Sequence, residues 1–193
     1  MKPTRTTRFA ARSGLFLIAV SLLFSGCDDA FGPQPWGFFP DTADLYSLAR
    51  PEYIGQPGAY DFLNLAPVVV EAIRGVPASF DVAITEAADG TFRLVPGGAF
   101  TGFSITPGLV VDSTGTFEGI EEAPRDGYTV DEPLVADTTV VYIVRSRDAG
   151  TRCVRYGKLE VLELRDDGVA VIRAIRNPNC NDRDLVPTAE TDD

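Results

Sequence analysis

The sequence predicts an all-β fold: one antiparallel β-sheet domain, a sandwich or a partly open barrel, behind a leader and an extended linker. Three observations point there. Apolar residues alternate with period two, as in Phe80, Val82 and Ile84 against Asp81, Ala83 and Thr85. Turn formers such as Asp89-Gly90, Pro107-Gly108 and Asp167-Gly168 punctuate the apolar runs. No stretch of about twelve residues carries a helical stripe.

Composition narrows the function. The 193 residues hold 17 basic and 28 acidic side chains, 3 cysteines and no histidine, and 45% of them are hydrophobic. That length and apolar share suit a single domain with a real core and argue against disorder. The negative balance repels phosphate backbones, which disfavours nucleic-acid binding. Without histidine there is no His-based triad, no imidazole base and almost no route to a zinc site.

Residues 1–26 read as a secretory leader. A basic stretch from Lys2 to Arg12 precedes an apolar run from Leu15 to Phe24, and Ser25-Gly26 stand before Cys27. The apolar run is about half of what a bilayer crossing needs, as in a signal h-region. The leader carries Lys2, Arg5, Arg8 and Arg12 and no acid, so without it 13 basic side chains face 28 acidic ones, a net charge of −15. The segment Leu22-Leu23-Phe24-Ser25-Gly26-Cys27 resembles the signal of bacterial lipoproteins, with Phe24 a mild departure from the usual leucine. The resemblance implies that the Cys27 thiol takes a diacylglycerol before cleavage and anchors the protein to a membrane of the cell envelope without crossing it. Two or more acyl chains anchor stably, since each buried methylene contributes about 0.8 kcal/mol. The alternatives are an ordinary signal peptide followed by a structural cysteine, or an uncleaved anchor.

Residues 27–40 form a Pro- and aromatic-rich tether, with Pro33, Pro35 and Gly37 excluding a helix. Trp36, Phe38 and Phe39 are expected to fold back on the domain edge, because exposed aromatics beside a bilayer are a liability. The β-rich domain is expected over residues 41–187. Residues 41–48 fit a short helix capped by Asp41 or a strand equally well. Strands are expected over 68–73, 80–85, 91–95, 100–105 and 109–111, with the second and third joined by the Asp89-Gly90 hairpin. Residues 188–193 form an acidic, frayed tail.

Residues 138–180 predict a meander. Strands over 138–145, 152–164 and 169–176 are separated by turns at Asp148-Ala149-Gly150 and Arg165-Asp166-Asp167-Gly168. The alternation slips at Leu162-Glu163-Leu164, which suggests a bulge. About the Asp166–Asp167 centre, Cys153 and Cys180 lie equally far out, so the hairpin sets them opposite one another, or one residue apart if the bulge is real. Export supplies an oxidising compartment, and with Cys27 lipidated one pair remains. A Cys153–Cys180 disulfide follows, with two free buried thiols as the alternative.

Chemical constellations are sparse. Asp112-Ser113-Thr114-Gly115-Thr116-Phe117-Glu118 places oxygens around a glycine, but its spacing fits no calcium loop and reads as a solvated turn. Asn177-Pro178-Asn179-Cys180-Asn181-Asp182-Arg183-Asp184 reads as a disulfide-pinned loop. Glu121-Glu122 is the carboxylate pair considered for glycan hydrolysis. No catalytic residue and no metal ligand is assigned.

Phe80-Asp81-Val82-Ala83, then Pro124-Arg125-Asp126-Gly127-Tyr128 and Asp131, then Tyr142-Ile143-Val144-Arg145, Tyr156-Gly157-Lys158-Leu159-Glu160-Val161-Leu162 and Asn177-Pro178-Asn179 are spaced in a way that resembles HmuY-type haemophore lipoproteins. The match spans about half the chain. It implies a lipid-tethered β-domain that grips haem between strand-borne loops. That family's characterised haem binders use histidine, which this chain lacks. Tyrosine is the usual axial ligand left: Tyr46, Tyr53, Tyr60, Tyr128, Tyr142 and Tyr156, with Tyr128 in a loop and Tyr142 and Tyr156 on strands. The expectation is a non-enzymatic, lipid-anchored binding protein for a protein partner or a small hydrophobic ligand. The alternatives are haem or porphyrin carriage without histidine, and a carboxylate-based glycan hydrolase.

Overall fold

A computed structural model describes residues 33–70, 78–101, 107–150 and 152–188. Two five-stranded antiparallel sheets make up the body. The strands are β1 (Asp41–Tyr46), β2 (Pro57–Asp61), β3 (Ala66–Val69), β4 (Val82–Glu86), β5 (Phe92–Pro96), β6 (Gly108–Asp112), β7 (Leu134–Val135), β8 (Val141–Arg145), β9 (Tyr156–Leu164) and β10 (Val169–Arg176). One sheet has the order β1-β10-β9-β8-β6 and the other β3-β2-β4-β5-β7. Neither sheet closes on itself, so the fold is a sandwich and not a barrel. No helix among the described residues is long and apolar enough to cross a membrane.

Alternation places the core. Leu45, Tyr60, Val82, Ile84, Leu94, Tyr142, Val144, Leu159, Val161 and Ile172 meet between the sheets. The opposite face of the β1-β10-β9-β8-β6 sheet is also covered: Val141, Ile143 and Ile175 pack under Trp36, Phe117, Ile120, Ala123 and Leu185 from the flanking loops. Trp36 is buried and Phe38 packs beside it, whereas Phe39 stays exposed. Thr188 does not fray: its N–H donates to Trp36 O at 3.0 Å and its hydroxyl accepts from Trp36 N. Residues 189–193, like the leader and Cys27, lie outside the described residues.

The meander follows its predicted turns. Its first strand starts later than expected, at Val141, after a turn in which the Asp137 carboxylate accepts the Thr139 N–H and hydroxyl. Its second starts at Tyr156, because Asp148, Ala149, Gly150 and Cys153 are tied into a turn by the Asp148 carboxylate and the Ala149 N–H. The β9–β10 hairpin turns through Asp166, Asp167 and Gly168, three residues and not two, with Gly168 at φ +88°. That offsets the register by one: Ala170 pairs with Leu164 and Val171 with Glu163. The bulge at Leu162 then removes the offset, so Ile172 pairs with Val161 and the frame runs on to Arg176 and Gly157. The two irregularities cancel. Cys153 and Cys180 therefore come opposite and form the disulfide, with Cα atoms 5.0 Å apart.

Expectations for four segments are decided or corrected. The undecided segment after Pro40 is strand β1, held by six-residue pairing with β10. The expected strand over residues 100–105 does not begin at Phe100: Gly97–Thr101 is a helical turn, α1, and the rest of that expectation falls on residues 102–106, outside the described set. Pro96 ends β5, and Gly97 lies against Phe80 O, where a Cβ would come within 2.6 Å; the turn carries Phe100 onto Phe80, ring centroids 5.5 Å apart. Finally, the strand around Val82 has no solvent face. Ala78, Phe80 and Ala83 pack with Ala59 on its outer side, and Asp81 is fully buried. The expected run over 68–73 shortens to β3, with residues 71–77 outside the described set.

Gly157 shows how tight the sandwich is. A Cβ there would overlap Ile175 O and come within 2.9 Å of the Phe62 ring. Gly157→Ala is expected to lower stability by about 1–3 kcal/mol, read as a fall in the urea midpoint at unchanged slope.

Candidate functional site

The two buried acids, Asp61 and Asp81, lie together at one end of the sandwich, where β2, β8 and β10 finish and β4 and β9 begin; the buried Lys158 lies apart from them, its Nζ donating to Ile120 O at 3.1 Å. Asp61 ends β2, Asp81 directly precedes β4, and Arg147 lies just beyond β8. Arg147 Nη1 donates to Asp81 Oδ2 and Nη2 to Asp61 Oδ2, each at 3.0 Å. Asp81 also accepts the Phe62 N–H at 2.7 Å and the Arg147 N–H at 2.5 Å. Asp61 accepts the N–H groups of Leu63 and Asn64 and the Asn64 amide. One arginine thus ties two strands of one sheet to the end of a strand in the other.

Electrostatics differ between the two acids. Burial pushes the Asp81 carboxyl up to about 6, against the pull of Arg147 and the two backbone donors. Asp61 is less deeply buried, and although desolvation raises it, Arg147, Asn64 and Leu63 together hold it below its ordinary value.

Arg155 and Arg176 stand beside this cluster. Arg155 Nη1 donates to Leu63 O at 2.8 Å. Arg176, last in β10, shares its parity with Ile172 and Ala174 on the inter-sheet face. Leu63 and Leu65 belong to the β2–β3 connection, where Leu65 takes φ +50°, a strained conformation for a leucine.

The tyrosines separate. Tyr142 is fully buried; its hydroxyl donates to Val135 O at 2.6 Å and accepts the Asp137 N–H at 2.8 Å. That side chain fastens the β7–β8 connection to the core, and its hydroxyl is engaged as both donor and acceptor. Tyr128 and Tyr156 do come together on the outer face of the β1-β10-β9-β8-β6 sheet, ring centroids 6.3 Å apart, with the Arg145 guanidinium 4.6 Å from the Tyr128 ring centre. The Tyr128 hydroxyl donates to Pro124 O, and burial followed by the neighbouring Tyr156 raises its pKa. A phenolate, which iron ligation needs, is opposed there.

The acidic segments form the walls of an open cleft of about 590 Å³ between Glu121-Glu122 and Asn181-Asp182-Arg183-Asp184. Both glutamates are exposed. Glu122 pairs with Arg183, whose Nη1 donates to Ala123 O, and Ala123 and Leu185 complete a backbone bridge between the segments. Asp112 Oδ1 is occupied by Thr114 N, Thr114 Oγ1 and Gly115 N, a side-chain-stabilised turn. Among the described residues no three His, Cys, Asp or Glu side chains are placed to hold a metal ion. The disulfide fixes the 177–184 loop, inside which Asn177 Nδ2 donates to Asp182 and to Asp184 O.

Of the residues singled out in the sequence, the structure brings together Cys153 with Cys180 and Tyr128 with Tyr156. The Asp61–Asp81–Arg147 cluster was not foreseen. Its one available signal was Asp81, an acid flanked on both sides by apolar residues at the start of a strand.

These features define a disulfide-braced antiparallel β-sandwich with two buried acids and an arginine joined at one end. No family model, curated protein or solved structure matches the chain.

Proposed function

We propose that the chain is a lipid-anchored binding protein of the bacterial cell envelope, HmuY-like in kind, that recognises a ligand without transforming it. The reading is carried by the Leu22-Leu23-Phe24-Ser25-Gly26-Cys27 segment, whose small residues directly precede the cysteine. A rigid sandwich packed on both outer faces supports it, because such a body presents fixed end loops. The test is fatty-acid labelling in a bacterial host. Radiolabelled palmitate is expected in the wild-type chain and not in Cys27→Ala; a wild-type chain without label, or equal label in both, overturns the anchor.

The pairing of Tyr128 and Tyr156 with Arg145 favours one second reading, haem or porphyrin carriage. The rings offer apolar surface and the guanidinium a partner for a propionate. A shifted Soret band on titrating micromolar haemin into the protein, weakened in Arg145→Gln and in a Tyr128→Ala, Tyr156→Ala double variant, supports it. An unshifted band removes it.

A further inference from the structure

Cations are scarce in this chain, 17 against 28 acids, yet Arg147, Arg155 and Arg176 share one end of the sandwich. Arg147 is matched by Asp61 and Asp81. The other two are not. Arg155 Nε, Arg176 Nε and Arg176 Nη1 are buried and have no hydrogen-bond partner among the described residues. A fourth such nitrogen, Arg173 Nε, lies 2.5 Å from the Glu160 carboxylate and so has a counter-charge. No equivalent serves Arg155 and Arg176.

The neighbouring acids are already committed. Asp61 serves Leu63, Asn64 and Arg147, Asp81 serves Phe62 and Arg147, and Asp41 accepts the Tyr60 hydroxyl at 2.7 Å. A buried donor left unpaired is destabilising, and more so when charged. Desolvation, with Arg155 next to it, lowers the Arg176 pKa, so the cationic form is held at a cost. The loop that supplies the Leu63 carbonyl carries the strained Leu65 backbone, and such strain gathers at ligand clamps. Both residues are half-buried overall, although these three nitrogens are covered.

We propose that Arg155 and Arg176 together bind a small oxyanion, a phosphate or a carboxylate, free or as the head group of a larger ligand. An oxyanion supplies acceptors to all three nitrogens and neutralises the repulsion between the two guanidinium groups, and arginine is the side chain best suited to it. Because it names the ligand chemistry of the binding role, the assignment draws its biological meaning from that role. The binding event itself does not depend on the lipid.

Calorimetric titration of the full chain in a non-ionic detergent, at constant ionic strength and pH 7, tests it with sodium phosphate in one arm and sodium acetate in the other. At least one anion is expected to bind saturably at a single site, and Arg155→Gln or Arg176→Gln to weaken it by about tenfold or more. Which arm responds distinguishes the two head-group chemistries. Absence of saturable binding of either anion up to about 10 mM, or unchanged affinity in both variants, overturns the assignment. Should Arg176→Gln fail to fold, Arg176→Lys keeps a cation with fewer donors and is expected to weaken binding by a smaller factor; unchanged affinity there overturns it equally. A chain that labels with palmitate but ignores both anions keeps its anchor and loses this site.

Discussion

Asp81→Ala is expected to cost about 3–5 kcal/mol, enough to bring a marginally stable domain close to unfolding. The carboxylate is fully buried and receives the Phe62 N–H, the Arg147 N–H and one Arg147 Nη. Truncation leaves all three donors without an acceptor and strips Arg147, itself largely buried, of one of its two counter-charges. The loss falls on the joint between the two sheets, so near-UV circular dichroism should fade along with the urea midpoint. pH gives a second reading of the same group. Its folded pKa is near 6 and its ordinary value 3.8. The folded state therefore binds the proton more tightly, and the contribution of Asp81 to stability is greatest below about pH 4 and declines as pH rises towards 6. An asparagine does not titrate, so Asp81→Asn should cost more at pH 4 than at pH 7. A cost that grows with pH would contradict the burial-dominated account.

The second large effect is loss of the Cys153–Cys180 bridge. Cys153→Ser with Cys180→Ser opens a loop with a sequence separation of 27, which the chain-entropy picture values at about 3–4 kcal/mol. The bridge does more than shorten the unfolded chain. It fixes the 177–184 loop, whose Asn177, Asp182 and Asp184 contacts hold Leu185 under the sheet and Arg183 against Glu122. Without it, the thermal midpoint should fall and backbone amides of residues 177–184 should exchange faster than those of β4 and β5. Equal loss of protection everywhere would mean that the bridge acts on the unfolded chain alone.

The part of the fold legible from the sequence is the part built from local pairing. Asp148-Ala149-Gly150, Asp166-Asp167-Gly168 and Asp89-Gly90 each demand a turn, and the β-branched runs between them have no other way to satisfy their backbones. The disulfide followed from the same symmetry, although its register was reached by a turn one residue longer than assumed and a bulge that compensates. Legibility ends where pairing is non-local. β1 reads equally as helix or strand because its partner, β10, lies at the far end of the chain. β2, with the sequence Pro-Gly-Ala-Tyr-Asp, carries turn formers and is a strand only because β3 and β4 flank it. Asp81 looked like a solvent-facing residue in an alternating strand, and only its contacts with Phe62 N and with Arg147 of the other sheet reveal otherwise. The charge cluster draws Asp61, Asp81, Arg147, Arg155 and Arg176 from five separate segments, a convergence that no spacing announces. The Tyr142 hydroxyl belongs to the same class, because its partners lie across a connection whose path is set by tertiary packing.

The central claim is an acylated cysteine at the head of a disulfide-closed sandwich, and intact-mass spectrometry of protein extracted from bacterial membranes addresses it most directly. The predicted result is a chain beginning at Cys27, heavier than its amino-acid mass by a diacylglyceryl group or more, and gaining two hydrogens on reduction. A chain still carrying its leader, or a Cys27 that bears no lipid, would contradict it.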